Sequence, residues 1–313
     1  MENPPTVLCA VDYSTASRTA LRYAASAVNY LQGRLVVLTV IDPLLAEAMA
    51  ASVYNDWQNT ERRDLRAFCE ESLGAEHTGD LEVDVRIGKA AEEVLAAAER
   101  LRARLIVMGC HGLTGIRKMF FGSTTERVLR DTTFPVLVAP ADEHAPAGVG
   151  DLATLIRHIV VPVDLTESSQ GLTAIGARLG AAIGVPVLPI HVVEPVTLRA
   201  RWRGQLPSMQ TEARNRAEDA MQRLVEQGGG ELEPVIVFGE PADEIAKVAE
   251  IRAAGLVVMG LQQRGSGRVG VVAYRILTST HVPVLAIPAV MSIGIGADGT
   301  CAGHEPASAG LAA

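Results

Sequence analysis

The chain has 313 residues, of which 48% are hydrophobic and only 4% aromatic, and its formal net charge at pH 7 is −8. The acidic balance and the lack of a basic run argue against nucleic acid as a partner, and four scattered cysteines favour neither a disulfide framework nor a structural zinc site. The length predicts two domains.

Targeting and membrane signals are weak in this sequence. The first five residues lack the basic and apolar regions of a signal peptide. The longest apolar run, Val282 to Ile295, is interrupted by Pro283 and Pro288 and is too short to span a bilayer. We therefore expect a cytoplasmic protein with no membrane partner.

Strands and helices alternate along the first half of the chain. Strands are predicted at Thr6–Val11, Arg34–Ile41, Leu81–Ile87, Leu105–Met108 and Phe134–Pro140. Helices are predicted at Ser14–Leu31, with Ser14 or Thr15 as the N-cap, at Leu44–Leu73, with a weakly patterned and irregular stretch at Ser52–Thr60, at Ala90–Leu101 and after residue 123. The strands are continuous Val, Leu and Ile runs, which is typical of parallel sheets covered on both faces. The predicted fold class is therefore α/β, with a five-stranded parallel open sheet and helices on both faces.

The second half repeats this pattern. Residues 11–14 (Val-Asp-Tyr-Ser) match residues 163–166 (Val-Asp-Leu-Thr), and residues 40–43 match residues 192–195, both at an offset of 152. A register held over a whole domain indicates two tandem copies of one fold. The predicted division is a first domain at 1–141, a linker at 142–156, a second domain at 157–290 and a disordered tail at 291–313.

A glycine-rich stretch follows the fourth strand. Gly109, Gly112, Gly122 and Ser123 are spaced as Gly-x2-Gly-x9-Gly-Ser between an apolar strand and the next helix. Backbone N–H groups at such a strand–helix connection favour an anion such as phosphate. We expect φ > 0 at the three glycines and an N-cap at Ser123 or Thr124. The alternative is a surface loop whose glycines serve only its turns.

Residues 11–14, residues 40–42 and the glycine spacing together resemble the nucleotide-binding branch of the universal stress protein family, in tandem. The resemblance implies strand order 3-2-1-4-5 in each half. It also implies that the last strands of the two halves pair antiparallel within one chain, as a pseudo-dimer. Two chains associating as a homodimer is a further expectation, and the protein partner stays unknown.

The resemblance also implies a ligand, ATP, with or without Mg²⁺. Asp12 is expected on the adenine or ribose side, the Val40 backbone at the adenine edge, and Gly109 and Gly112 beneath the ribose and α-phosphate. The terminal phosphates would then meet the start of the following helix. The expected binding residues are Ala10, Asp12, Val40, Met108, Gly109, Gly112, Gly122, Ser123, Thr124 and Thr125; no catalytic or metal-binding residue is predicted.

The second half departs from the glycine pattern. Gly109 and Gly122 are 13 positions apart, whereas their counterparts Gly260 and Gly270 are 10 apart. Apolar residues 271–273 (Val-Val-Ala) replace the hydroxyl residues 123–125 (Ser-Thr-Thr). We therefore expect a degenerate site in this half.

Three functions are compatible with these patterns. The first is an ATP-binding regulator in stress response or growth arrest, as the resemblance implies. The second is a slow ATPase or phosphotransferase using the same pocket, for which Asp12 is the one evident candidate base. The third is a ligand-free interaction scaffold.

Overall fold

The computed structural model describes residues 4–51, 56–74, 81–110, 122–140, 152–195, 206–229, 231–261 and 270–289. The first half contains β1 (Thr6–Ala10), α1 (Thr15–Leu31), β2 (Arg34–Ile41), α2 (Pro43–Ala51), α3 (Trp57–Leu73), β3 (Glu82–Ile87), α4 (Ala90–Leu101), β4 (Ala103–Gly109), α5 (Ser123–Asp131) and β5 (Val136–Ala139). The second half contains α6 (Leu152–Leu155), β6 (Ile159–Pro162), α7 (Glu167–Ile183), β7 (Val187–Val193), α8 (Leu206–Gly228), β8 (Val235–Phe238), α9 (Pro241–Ile251), β9 (Leu256–Leu261), α10 (Val271–Ser279) and β10 (Val284–Pro288).

The predicted elements are present. The helical stretch expected over Leu44–Leu73 is two helices, α2 and α3, which are separated within the weakly patterned stretch. Trp57 opens α3 and is buried against Ile41 and Ala46, so the start of α3 lies against α2. The short helix α6 lies within the predicted linker, and the predicted tail at 291–313 lies outside the described residues.

All ten strands join one sheet in the order β3-β2-β1-β4-β5-β10-β9-β6-β7-β8. Each half therefore has the predicted order 3-2-1-4-5. Strands within a half pair in parallel. Between the halves, β5 and β10 pair antiparallel through Val138–Val284, Leu137–Leu285 and Val136–Ala286. The predicted pairing through the last strands is confirmed.

The antiparallel pairing of β5 with β10 sets the direction of every strand. Because all pairings inside a half are parallel, the strands of one half run opposite to those of the other. The carboxyl ends of the strands, where open α/β sheets bind ligands, therefore lie at opposite edges of the sheet in the two halves.

Apolar side chains cover both faces of this sheet. On β1, Leu8 joins one buried cluster with α4 and α5, while its neighbours Val7 and Cys9 join the cluster on the α1 and α3 face. This alternation is the two-residue period of a strand buried on both sides. Each cluster contains residues of both halves, so the hydrophobic core is continuous across the β5–β10 pairing.

One buried hydroxyl gives a test of the packing. Thr173 on α7 is fully buried, and its hydroxyl has no hydrogen-bond partner in the described part of the chain. Its counterpart in the first half is Leu21, also fully buried. The Thr173→Val variant is expected to raise the free energy of unfolding by about 1 kcal/mol, because a buried unpaired hydroxyl costs roughly 1–3 kcal/mol. Urea unfolding measures the change.

The matched control is Thr132→Val. The Thr132 side chain is also buried, but its hydroxyl donates to the Phe134 carbonyl at 3.0 Å and accepts from the Phe134 N–H at 2.9 Å. This variant is expected to lower the free energy of unfolding by about 1–2 kcal/mol. Destabilisation by both variants would contradict the description of Thr173 as unpaired.

Candidate functional site

The sheet order places a crevice between β1 and β4. These strands are neighbours, but the chain leaves β1 toward β2 and leaves β4 toward β5, so the connections diverge at their carboxyl ends. A cavity of about 240 Å³ lies there. It is lined by Ala10, Val11, Asp12, Ser17, Leu38, Val40, Ala90, Val94, Met108, Gly109, Gly122, Ser123, Thr124 and Thr125.

Nine of the ten expected binding residues line this cavity. The tenth, Gly112, lies outside the described residues. Sequence reasoning missed the five others, Val11, Ser17, Leu38, Ala90 and Val94. Periodicity signals two of them, because Leu38 lies two residues from Val40 on one strand, and Val94 lies one helical turn from Ala90.

Asp12 is held by the start of α1. Its Oδ1 accepts hydrogen bonds from the Ser17 hydroxyl at 2.5 Å and from the Ser14 N–H at 3.2 Å, and its own N–H donates to Ser17 Oγ at 3.0 Å. Ser14, one of the two expected caps, is the N-cap of α1. This Asx turn fixes the carboxylate at the end of β1 and the helix start beside it.

Tyr13 lies between Asp12 and the helix cap, with a left-handed φ of 63°. Its ring packs edge-to-face on Phe68, and its hydroxyl donates to Glu61 Oε1 at 2.6 Å. Burial, and then the hydrogen bond to Glu61, raises the pKa of the Tyr13 hydroxyl well above its ordinary value. The hydroxyl is thus a permanent donor that ties the β1–α1 turn to α3.

Gly109 is required for space and not for its backbone angles. A Cβ on Gly109 would lie 2.8 Å from the Ala16 Cβ and 2.9 Å from its carbonyl carbon, so α1 contacts the end of β4 directly. Neither Gly109 nor Gly122 has positive φ, and Gly122 is extended at φ −61° and ψ 130°. The expectation of φ > 0 is therefore wrong at both positions, and Gly112 lies outside the described residues.

Helix α5 begins one residue before the position that a Ser123 cap predicts and two before the position that a Thr124 cap predicts. Its N-cap is Gly122, whose carbonyl accepts from the Glu126 N–H at 2.9 Å and whose N–H donates to the Cys110 carbonyl at 2.9 Å. Ser123 and Thr124 are helical, and the extended residue before the helix is Gly122. Residues 123–125 consequently present first-turn N–H groups that have no acceptor inside the helix. Such groups favour an anion.

The three hydroxyls of this turn have different surroundings. Ser123 is exposed and Thr124 is half-buried. Thr125 is buried, and its hydroxyl donates to the Gly109 carbonyl at 2.9 Å. The hydroxyl proton of Thr125 is therefore engaged with the backbone of β4.

Comparison with known proteins agrees with this architecture. The sequence model of the universal stress protein family matches the chain twice, at residues 5–140 and 155–288. The chain belongs to the universal stress protein family. A universal stress protein of Mycolicibacterium smegmatis is 23% identical over 299 residues, which cover 90% of this chain and 96% of that protein.

A solved structure of a universal stress protein shows the same fold. A universal stress protein from Archaeoglobus fulgidus superimposes with a TM-score of 0.64 at 22% identity, covering 91% of this chain and 97% of that one. Another from the same organism, solved in complex with dAMP, is 23% identical, covers 42% of this chain and 98% of its own, and has a TM-score of 0.33.

The second half of this universal stress protein repeats the turn at the end of its first strand. Asp164 Oδ1 accepts from the Thr166 hydroxyl at 2.6 Å and from the Ser169 hydroxyl at 2.8 Å. Leu165 has φ of 60°, matching Tyr13. This half lacks the glycine pattern of the first half and still has the turn. The Asx turn is therefore a feature of the fold and does not depend on that pattern.

The start of α10 differs from the start of α5. Both helices have nine residues and a glycine N-cap. In α10, however, Val271 and Val272 are exposed, at 76% and 41%. The second crevice therefore keeps the helix start but presents apolar groups where the first presents hydroxyls.

Asp12 is the single ionisable side chain among the described residues that line the first cavity. Within the described ranges, no group of three or more His, Cys, Asp or Glu side chains is placed to hold a metal ion. In the same ranges, no helix is both long and apolar enough to cross a membrane.

Proposed function

We propose that this universal stress protein binds ATP in the cavity of its first half and acts as a nucleotide-dependent regulator in stress response or growth arrest. The observation that carries the proposal is one cavity with two chemically distinct ends. Apolar side chains form one end, and the first turn of α5 with its N–H and hydroxyl donors forms the other.

The apolar end suits a nucleobase. Leu38 and Val40 of β2 and Ala90 and Val94 of α4 line it. Flat aromatic bases bind in such apolar surroundings when a few polar groups orient them. The polar groups available here are those of the β2 backbone.

Strand β2 extends beyond its neighbour β1. The last pair of β1 with β2 is Ala10–Leu38, whereas β2 stays paired with β3 as far as Ile41–Ile87. The Leu38 carbonyl accepts from the Val11 N–H at 2.9 Å. In a parallel strand, alternate residues face the same neighbour, so the Val40 backbone faces the crevice, as the edge of an adenine would require.

The polar end suits phosphate. The first-turn N–H groups of α5, the positive end of its helix dipole and the Ser123 and Thr124 hydroxyls converge there. Asp12 lies between the two ends of the cavity, where a ribose would lie. A nucleoside triphosphate is the ligand class that joins these features.

The test is calorimetric titration of nucleotide-stripped full-length protein with ATP. We expect saturable binding, and we expect adenosine to bind more weakly because it lacks the phosphates that α5 would contact. Absence of binding by either compound would overturn the proposal and leave the ligand-free scaffold.

Replacing Ser123 with alanine is expected to weaken ATP binding by roughly 1–2 kcal/mol, the scale of one hydrogen bond to a charged acceptor. The adenosine affinity should not change, because Ser123 lies at the phosphate end. The matched control is Val271→Ala, at the same helix position in the second half, which should leave both affinities unaltered. Equal weakening by both variants would contradict the placement of the site.

Turnover separates a regulator from an enzyme. Hydrolysis needs a group that positions or deprotonates water, and Asp12 Oδ1 is already engaged by Ser14 and Ser17. We therefore expect slow hydrolysis or none, measured as phosphate release with Mg²⁺ present. A rate above about one per second, in the ordinary range of enzymes, would place this protein among the ATPases.

A further inference from the structure

The buried hydroxyl of Thr125 joins two elements that the cavity uses. It donates to the Gly109 carbonyl at 2.9 Å, and Thr125 is only 4% exposed. Thr125 is in the first turn of α5, and Gly109 is the last residue of β4. We call this hydrogen bond the β4–α5 latch.

The latch has a defined structural context. Next to it, the Gly122 N–H donates to the Cys110 carbonyl, and the Cys110 N–H donates to the Ala139 carbonyl of β5, both at 2.9 Å. Ala16 of α1 meets Gly109 from the other side. The start of α5 is thus held against the sheet at the point where α1 also contacts it.

The second half shows that the helix does not need the latch in order to form. Ala273 occupies the position of Thr125 and has no hydroxyl to donate to the carbonyl of Gly260. Even so, α10 is nine residues long and has a glycine N-cap, as α5 does. The latch is therefore an addition that is specific to the half with the hydroxyl-lined cavity.

We infer that Thr125 is a positioning residue, which holds the first-turn N–H groups of α5 at a fixed place relative to the end of β4. The inference rests on the proposed function for its consequence in binding. An anion binds more tightly to donors that are already in place, because less ordering has to accompany binding. Thr125 then acts on phosphate through the helix start, without donating its own hydroxyl to it.

The first experiment needs no ligand. Hydrogen exchange of the Gly122 and Glu126 amides, which donate to the Cys110 and Gly122 carbonyls at the start of α5, is compared in the ligand-free wild-type protein, Thr125→Val and Thr125→Ser. The valine variant is expected to exchange about fivefold faster there, the factor that corresponds to one net hydrogen bond. Thr125→Ser keeps a hydroxyl and should restore most of the protection. Unchanged exchange in Thr125→Val would overturn the inference.

The second experiment uses ATP and adenosine as probes of the same variants. We expect Thr125→Val to weaken ATP binding by about tenfold, the scale of one hydrogen bond, with adenosine affinity unchanged. Equal weakening of both probes would show general destabilisation and would overturn the positioning role. If the wild-type protein binds neither probe, the proposed function fails, while the exchange experiment still decides whether the latch orders α5.

The second half supplies the converse variant. Ala273→Thr adds a hydroxyl at the position of Thr125 and is expected to slow exchange of the Tyr274 amide, which donates to the Gly270 carbonyl, by about fivefold. It should create no ATP site, because Val271 and Val272 remain. Slower exchange at the start of α10 would show that the added hydroxyl orders the helix start in the second half as Thr125 does in the first. Unchanged exchange there would count against the inference.

Discussion

Replacing Gly109 with alanine is expected to lower the free energy of unfolding by about 2 kcal/mol, within the range for overpacking a filled site. The added Cβ would lie under 3 Å from the Ala16 Cβ and carbonyl carbon. Because one of these atoms is backbone, relief requires that α1 move away from β4. Such a movement would also displace Asp12, which the start of α1 holds, so ATP affinity should fall together with stability.

The chain contains a matched control for this prediction. Gly260 is the counterpart of Gly109 at the end of β9, and a Cβ there would meet only Leu172 Cδ2, at 3.8 Å. The Gly260→Ala variant is therefore expected to be neutral or to stabilise by about 0.4–1 kcal/mol, through reduced freedom of the unfolded chain. Urea unfolding of both variants gives the comparison. Equal effects would mean that the contact with Ala16 is not a tight one.

Nucleotide-stripped protein is expected to bind one equivalent of ATP per chain, in the first half. The second crevice lacks the Ser123 and Thr124 hydroxyls, since Val271 and Val272 occupy those positions. At roughly 1–3 kcal/mol for each missing partner, micromolar binding would become about millimolar.

Charge adds to this asymmetry. In the first half, Glu92 is shared by two cations, Lys89 before α4 and Arg127 in the middle of α5, each 3.2 Å away. In the second half the arrangement is reversed, because one cation, Arg275, is shared by Glu240 and Asp243. With Glu126 in the first turn of α5 counted as well, these groups sum to zero in the first half and to −1 in the second, which is therefore the less favourable half for a triphosphate.

Calorimetry measures the stoichiometry directly. The double variant Ser123→Ala with Thr124→Ala should remove most of the single binding isotherm, and Val271→Ala with Val272→Ala should leave it intact. Two equivalents of similar affinity would contradict the asymmetry. A low-salt titration is a further check, because the charge contribution should grow as ionic screening falls.

Much of this architecture was predictable from the sequence. Apolar runs and helical periods place the strands and most helices, because a sheet buried on both faces leaves few polar interruptions. Asp12 and Ser14 were predictable as a strand end followed by a helix cap, since an Asx turn is a local arrangement of a few residues. The internal repeat predicted two copies of one fold, and the resemblance to the universal stress protein family predicted how the two halves join.

The roles of individual site residues were harder to predict. A glycine in a sequence shows that a side chain is absent, but not whether the reason is a backbone angle or a close neighbour. At Gly109 the reason is Ala16, which is distant in the chain. Thr125 is similar, because its hydroxyl could face a ligand or a carbonyl, and the choice depends on how close β4 lies to α5. Only the tertiary structure provides that distance.

The opposite orientation of the two halves has a consequence for signalling. Under the proposed function, a partner protein that sensed the occupancy of the first crevice would contact one edge of the sheet, away from the second crevice. Along the hydrogen-bonded backbone, three residue pairs between β5 and β10 join the two halves. Each edge would therefore offer a separate docking surface, one beside the proposed nucleotide site and the other beside the second crevice.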